Sequence, residues 1–361
     1  MTFKEQLEDL RAADTDSEGA TGQLEILSGF TVEVVRRSIQ WVEGGAVMIA
    51  REEGLRHLLV VEFDGSGLAG QFAGNGFQTD SGLDICFGDL NHENAVVLRL
   101  IYENAWPQPL GLDDSFGLGD RLGIAGPAHL RSLRGTGFKV VLAQQSIREL
   151  ERTERTPDEV MDAAIWAVLE EGWSEPWGAD ADHLKTPEDV ELMAAAGFTM
   201  FTIDPGDHVV DAADTMSSEE LREAAADLPW SELEDSFGAA LRRYSGDLVP
   251  PGGGLELDPS NEDILRGWVK YGPSLAHTAK MYRHIATTMG QRPFEVEVSV
   301  DETASVTTPF EHWLVASELR RLGVEWIGLA PRFVGDFEKG IDYRGDLEIF
   351  RTEYLRHLAV A

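Results

Sequence analysis

The 361-residue chain has a single cysteine and only six lysines among its thirty basic residues. No apolar run approaches the roughly 18 residues that a membrane-spanning helix needs. The lone Cys86 excludes an internal disulfide and any thiolate metal cluster, and it suits a reducing compartment. Ile85 and Phe87 flank it as in a buried strand, which favours packing over nucleophilic chemistry. Residues 1–11 alternate charged and apolar side chains where a signal peptide would be apolar, so the expectation is a soluble, cytoplasmic protein. Clustered cations are also absent. With 64 acidic against 30 basic residues, the formal net charge is −34, and phosphate neutralisation has nothing to work with. Nucleic acid and anionic membrane are therefore excluded as partners. The acids are spread along the chain (Glu5, Glu8, Asp9, Asp14, Asp16, Glu18, then Glu219, Glu220, Glu223, Asp227) and form no localised tail. This pattern points to a halophilic protein, because molar salt shortens the Debye length to roughly 3 Å and screens self-repulsion.

What is present divides the chain near its prolines. Residues 1–110 read as a small β-rich region, with apolar stretches at 45–50, 58–63 and 84–87 separated by glycine turns. After Pro107 and Pro109, strand and helix alternate over 111–361. Strands are expected at 121–125, 138–144, around Asp182, at 198–203, 294–300 and 324–330. Helices are expected at 127–133, 157–171, 187–196, 309–322 and from Asp346 onward. Apolar strands alternating with helices imply parallel βα units, so the fold class is α/β of the (β/α)8 TIM-barrel type, incomplete at six units. A helical insertion at about 205–292 carries expected helices at 217–227 and 230–244. A Pro250-Pro251-Gly252-Gly253-Gly254 break follows, then a long helix from Asn261. It reads as a lid or cap, or else as a solvated insertion. Gly65-Ser66-Gly67-Leu68-Ala69-Gly70 matches the dinucleotide fingerprint by letter. The following Gln71 to Gly76 holds two more glycines and no helical stripe, so a glycine-rich hairpin is the better reading.

Polar groups gather just past the apolar strands, where parallel barrels build active sites. Asp182 and His183 come first, since a carboxylate beside an imidazole serves proton abstraction and metal ligation together. Gln144, Gln145, Ser146, Arg148 and Glu149 follow the second strand, and Asp204, Asp207 and His208 the fourth. Glu297, Ser299, Asp301 and Glu302 occupy the fifth, and Arg332 with Asp336 ends the sixth. Singly, each is as well explained as a loop residue or helix cap. In a closed barrel they would share one mouth. His277 and His312 lie on helical stretches, where packing or surface roles are commoner. Lys185 is the sole lysine near a strand end, the place a Schiff-base aldolase would need one.

Several long stretches resemble the tagaturonate (tagaturonate/fructuronate) epimerases of hexuronate catabolism, from about residue 91 to 359. They include Asn91-His92-Glu93-Asn94, Ser115-Phe116-Gly117-Leu118-Gly119-Asp120-Arg121-Leu122-Gly123, Ala143-Gln144-Gln145-Ser146-Ile147-Arg148-Glu149, and the segments 178–185 and 197–204. Glu297-Val298-Ser299-Val300-Asp301-Glu302-Thr303 and Arg332-Phe333-Val334-Gly335-Asp336-Phe337-Glu338-Lys339-Gly340-Ile341-Asp342-Tyr343 complete the set. The resemblance implies a carbohydrate isomerase that epimerises a keto-hexuronate beside its ketone with help from a divalent metal cation. Asp182 would be the proton acceptor, Glu297 the donor and His183 a metal ligand. Arg332, Gln144 and Arg148 are the candidate substrate-binding residues, and the partners are a small sugar acid and, at most, further copies of the chain. The family pattern continues beyond residues 354–361 with two more strands, one bringing a histidine expected opposite His183. A truncated form is therefore the first expectation. The alternatives are a sugar-acid-binding pseudoenzyme and another barrel sugar isomerase or lyase.

Overall fold

The computed structural model describes residues 2–13, 20–246, 255–301, 303–337 and 341–361. Asp14, Asp16, Glu18, the Pro250 to Gly254 break, Glu302 and the Glu338-Lys339-Gly340 part of the last motif lie outside them. The chain forms two compact units, residues 1–181 with 192–199, and residues 182–191 with 200–361.

The first unit opens with helix α1 (Phe3–Ala12) and the strands β1 (Thr21–Leu27), β2 (Phe30–Val35), β3 (Gln40–Val42), β4 (Gly45–Glu52), β5 (Leu55–Glu62), β6 (Asn75–Gln78) and β7 (Asp84–Gly88). They make an antiparallel sheet in the order β1-β2-β4-β5-β7-β6, with β3 on β4. Leu24, Ile26, Val32, Val34, Met48, Leu59 and Val61 alternate inward to one core with Phe3 and Leu7 of α1. The expected strands at 45–50, 58–63 and 84–87 are thus β4, β5 and β7. The Gly65 to Gly70 run opens no α-helix. The buried Glu62 carboxylate accepts the amides of Gly67 and Ala69, so nothing there can offer pyrophosphate a helix terminus, and the expected hairpin does not form either, because β6 pairs with β7, which lies between it and β5. Cys86 is buried in β7, and burial pushes its thiol up, which removes it from nucleophilic candidacy.

Helix α2 (His92–Ile101), β8 (Ser115–Gly117), α3 (Gly126–Leu133), β9 (Lys139–Ser146), α4 (Ile147–Thr153), α5 (Pro157–Glu171) and β10 (Trp177–Leu184) follow. Residues 121–125 are not the strand that their apolar content suggests. The Asp120 carboxylate accepts the amides of Leu122, Gly123, Ala125 and Gly126, which curls the segment into the start of α3. The strand is instead Ser115–Gly117, paired in parallel with β9. Helix α5 begins as its sequence dictates, with Thr156 and Glu159 in a capping box and Pro157 in the first turn.

The second unit starts at Asp182, within β10. Helix α6 (Pro187–Ala196) passes from this unit back into the first, and then come β11 (Met200–Ile203), α7 (Ser218–Ala226), α8 (Phe237–Arg243), α9 (Asn261–Met289), β12 (Glu295–Val300), α10 (Pro309–Arg321), β13 (Gly328–Pro331) and α11 (Leu347–Val360). The strand order is β13-β12-β11-β10 here and β10-β9-β8 in the first unit, and β12 runs parallel to both neighbours. The helix expected over 230–244 is only α8, because Glu234 adopts the left-handed conformation at φ 51° and interrupts the helix. Within the 205–292 insertion, helix α9 is not solvated. Its 29 residues bury Trp268, Tyr271, Leu275, Met281 and Ile285, and it packs on α7, α10 and β11. No helix among the described residues is long and apolar enough to cross a membrane.

His312 of α10 and His357 of α11 are both buried, with their Nδ1 atoms 3.1 Å apart. Burial and the neighbouring imidazole push His312 down to about 4, and burial lowers His357 as well. An unfolded chain takes up these protons near pH 6.5, whereas the folded chain resists them. The contribution is therefore complete above about pH 6.5 and is lost as pH falls toward 4, with about 3 kcal/mol expected from His312. Urea midpoints measured from pH 7.5 to 4.5 should fall, and His312→Leu should flatten that slope.

Candidate functional site

Strand β12 reads Glu-Val-Glu-Val-Ser-Val. Because side chains alternate across a strand, Val296, Val298 and Val300 share one buried face and Glu295, Glu297 and Ser299 share the other. Parallel register sets Thr202 of β11 and Gly328 of β13 beside Glu297. Gly328 matters here, since a Cβ at that position would lie 3.0 Å from Glu297 Oε2. At the carboxyl end of β12, Asp301 accepts a short hydrogen bond from the Ser299 hydroxyl.

Asp182 and His183 end β10, and His183 adopts a left-handed backbone at φ 52°, a conformation that side chains with a Cβ disfavour. His183 Nε2 lies 3.7 Å from Asp182 Oδ1, and His183 Nδ1 lies 3.5 Å from Asp204 Oδ2. Asp204, just past β11, has a side chain only 4% exposed and accepts the Gly206 amide at 2.8 Å. Lys185 Nζ stands 3.6 Å from Asp204 and 3.1 Å from Asp207.

These groups set one another's charge. Burial, reinforced by the negative charges of Asp182 and Asp301 and only partly offset by His183, pushes the Glu297 carboxyl above the usual glutamate range. Burial also opposes ionisation of Asp204, but the hydrogen bonds from His183 and the Gly206 amide, with the Lys185 charge, outweigh it and hold Asp204 low. Lys185 is raised: burial works against its charge, and Asp207 and Asp204 more than compensate. A lysine held protonated between two carboxylates is no Schiff-base nucleophile, which removes the feature an aldolase would need.

Asp182, His183 and Glu297 thus meet in one unit, with Asp204, Lys185 and Asp301 around them. Arg332, just after β13, donates to the Asp301 carbonyl at 3.4 Å and stands 3.7 Å from the exposed Asp336. Gln144 and Arg148 belong to the first unit. There Gln144 donates to Asp180 at 3.2 Å, while Arg148 is exposed in the first turn of α4. Ser146 and Glu149 form that helix's capping box, and Gln145 bonds Thr153 and Arg155, so these three have structural duties. His277 is the group that sequence reasoning undervalued. Its ring stacks on His208 with centroids 4.0 Å apart, it bonds the Lys185 carbonyl, and its buried Nε2 has no hydrogen-bond partner among the described residues. Burial, then the His208 charge, lowers it. Nothing local in a helix interior announces this placement, and only the packing of α9 on β11 produces it.

The residues present fit one position of a divalent-metal site. His183 offers Nε2 while a carboxylate sits at its Nδ1, the usual support for a ligating imidazole. No group of three or more His, Cys, Asp or Glu residues among those described is placed to hold an ion.

Strands that bring Glu297, in the middle of β12, into the field of Asp182 and His183 near the end of β10 define an α/β protein with a site of carboxyls and an imidazole. The chain matches the family described as "UxaE: tagaturonate epimerase" over residues 35–361. It is 40% identical over 339 residues to the tagaturonate/fructuronate epimerase of Thermotoga maritima, a match that covers 91% of this chain and 66% of that protein. The native crystal structure of fructuronate-tagaturonate epimerase UxaE from Cohnella laeviribosi superposes with a TM-score of 0.83 at 36% identity, covering 93% of this chain and 66% of that one. Its one-glycerol complex gives the same TM-score of 0.83 over 91% of this chain and 65% of that chain. The protein belongs to the tagaturonate epimerase family, and it spans about two thirds of the length of these relatives.

Proposed function

We propose that this chain is a keto-hexuronate epimerase interconverting tagaturonate and fructuronate. Asp182 takes the proton from the carbon that is inverted, and Glu297 delivers one to the opposite face. The observation that carries this reading is the Glu297 carboxyl, raised above the usual glutamate range by burial and then by the negative charge of Asp182. An epimerase needs such a pair, one carboxyl ready to accept and one ready to donate, because a single group returns the proton to the face it came from. Its relatives' names supply the substrate class. A divalent cation, when bound, would stabilise the negative charge that develops on the substrate oxygens, with His183 Nε2 as one ligand. Arg332 is the candidate for the substrate carboxylate, since its partner Asp336 is 65% exposed and easily displaced. We read the sequential parallel strands as an arc of a (β/α)8 barrel, and the −34 charge as adaptation to high salt. That no group of three or more His, Cys, Asp or Glu among the described residues could hold an ion favours a second reading, a sugar-acid-binding relative without turnover.

The test is purified protein with tagaturonate and a divalent metal in molar salt and deuterated water, followed for deuterium at the epimerising carbon. Uptake with fructuronate formation supports the epimerase. Tagaturonate binding without any exchange rejects it in favour of the second reading. Gly328→Ala, which crowds Glu297 Oε2, should then lower kcat about ten-fold with little change in melting temperature, since catalytic carboxyls tolerate little displacement.

A further inference from the structure

We infer that one end of the antiparallel sheet in the first unit is a binding cup for a small quaternary ammonium ion. This stands whether or not the chain turns over a uronate. Alternation along the strands carries Phe30 of β2, Glu52 of β4, His57 of β5 and Phe87 of β7 onto the same face as the core residues Val32, Ala50 and Leu59. Phe77 of β6, opposite Ile85, joins them. At the end where β2, β5 and β6 begin and β4 and β7 finish, that face changes from aliphatic to aromatic and acidic, and it surrounds a cavity of about 530 Å³. The volume is that of a small-molecule site. Phe30 lies at 68° to Phe77 and 78° to Phe87, with centroids 6.3 and 6.2 Å away, and the His57 ring is 4.7 Å from Phe87. A perpendicular pair engages one edge and one face, so ring faces remain for a ligand. No lysine or arginine lines the cavity, whereas the exposed Glu52 has no hydrogen bond or ion pair among the described residues, and the Asp89 side chain is 83% exposed, 3.8 Å from His57 Nδ1. Anions are therefore disfavoured. Phenyl faces carry the negative part of the ring quadrupole, and they attract best a cation that sheds its water at little cost, which is the character of a quaternary ammonium. Sodium holds its water tightly and competes poorly, so the cup should work in molar salt.

Choline is the probe, compared with its neutral isostere in which a carbon atom replaces the nitrogen. Saturation-transfer NMR on the full-length chain in molar sodium chloride, with the aromatic protons irradiated, should label the choline methyl groups. The isostere should bind about 5-fold more weakly or worse, because it keeps the shape and loses the charge. Phe77→Leu retains an apolar side chain against the core and removes a ring face, so it should weaken choline by about 5-fold and leave the isostere unchanged. Glu52→Gln, at the exposed end of β4, leaves the fold intact and should weaken choline about 2- to 5-fold, which keeps the test decisive even if Phe77→Leu fails to fold. Tagaturonate, an anion, should not displace choline. No transfer at tens of millimolar choline overturns the inference, as does equal affinity for choline and the isostere. Unchanged choline binding in both folded variants also overturns it. Displacement by tagaturonate would place choline in the second unit's acid–base site, and this too would defeat the assignment of the cup.

Discussion

Glu297→Gln is expected to stop conversion of tagaturonate to fructuronate, by about 10²- to 10⁴-fold, while deuterium still enters unreacted tagaturonate. The asymmetry follows from the division of labour between two carboxyls. With Asp182 intact, the proton still leaves the substrate and exchanges with solvent, but the only acid left is on the face from which the proton departed. Reprotonation there regenerates the starting sugar. Asp182→Asn removes the acceptor, so both exchange and conversion should vanish in that direction, and the two variants should swap behaviour when fructuronate is the starting sugar. Glutamine and asparagine preserve size and polarity, so binding should change little and the loss should lie in kcat. A Glu297→Gln protein that converts tagaturonate at the wild-type rate would remove Glu297 from the reaction. The pH profile gives an independent check, because a glutamate pushed up by burial and by Asp182 keeps its donor proton above the usual glutamate range. Conversion of tagaturonate should therefore persist to higher pH than an ordinary carboxylic acid would permit.

Glu318→Ala is expected to cost about 3–5 kcal/mol of stability. Glu318 of α10 is completely buried and accepts from Arg243 Nη1 at 2.6 Å, from the Tyr244 hydroxyl at 2.7 Å and from Arg321 Nε at 2.6 Å. Burial and the Glu318 charge push the Tyr244 phenol up, so the hydroxyl remains a donor throughout the physiological range. Removing the carboxylate leaves a buried hydroxyl and a guanidinium without their acceptor, and it opens a cavity where α8 meets α10. Glu318→Gln keeps the volume and one acceptor oxygen, and should cost less than half as much. Urea unfolding at pH 7.5 in molar salt measures both, and an alanine variant within 1 kcal/mol of wild type would contradict this account of the cluster.

Much of the architecture is legible in short stretches of sequence. Thr156-Pro157 with Glu159 starts α5, and Thr308-Pro309 with Glu311 starts α10, because capping is settled by side chains within three residues of one another. Glu295 to Val300 announces its two faces by alternation. The misreadings occur where a side chain reaches several backbone amides or where the backbone turns left-handed. Asp120 makes a helix approach of 121–125, and Glu234 interrupts the expected helix at 230–244. The candidate pair Asp182 and His183 was visible as a strand-end motif, and Glu297 as an acid in an apolar strand. Gln145, Ser146 and Glu149 are equally eligible by position, and only their hydrogen bonds assign them structural roles.

The sequence by itself determined the acidic surface, the absence of disulfides, the alternation of strand and helix, and the family, since all of these are carried by residue identity and by neighbours a few positions apart. Tertiary structure alone decided that Glu297 feels Asp182, that Asp204 faces His183 between Gly206 and Lys185, and that His277 stacks on His208. The reason is that ionisation and hydrogen bonding depend on through-space separations between residues far apart in the chain, 115 positions in the case of Asp182 and Glu297, and no local pattern encodes those separations.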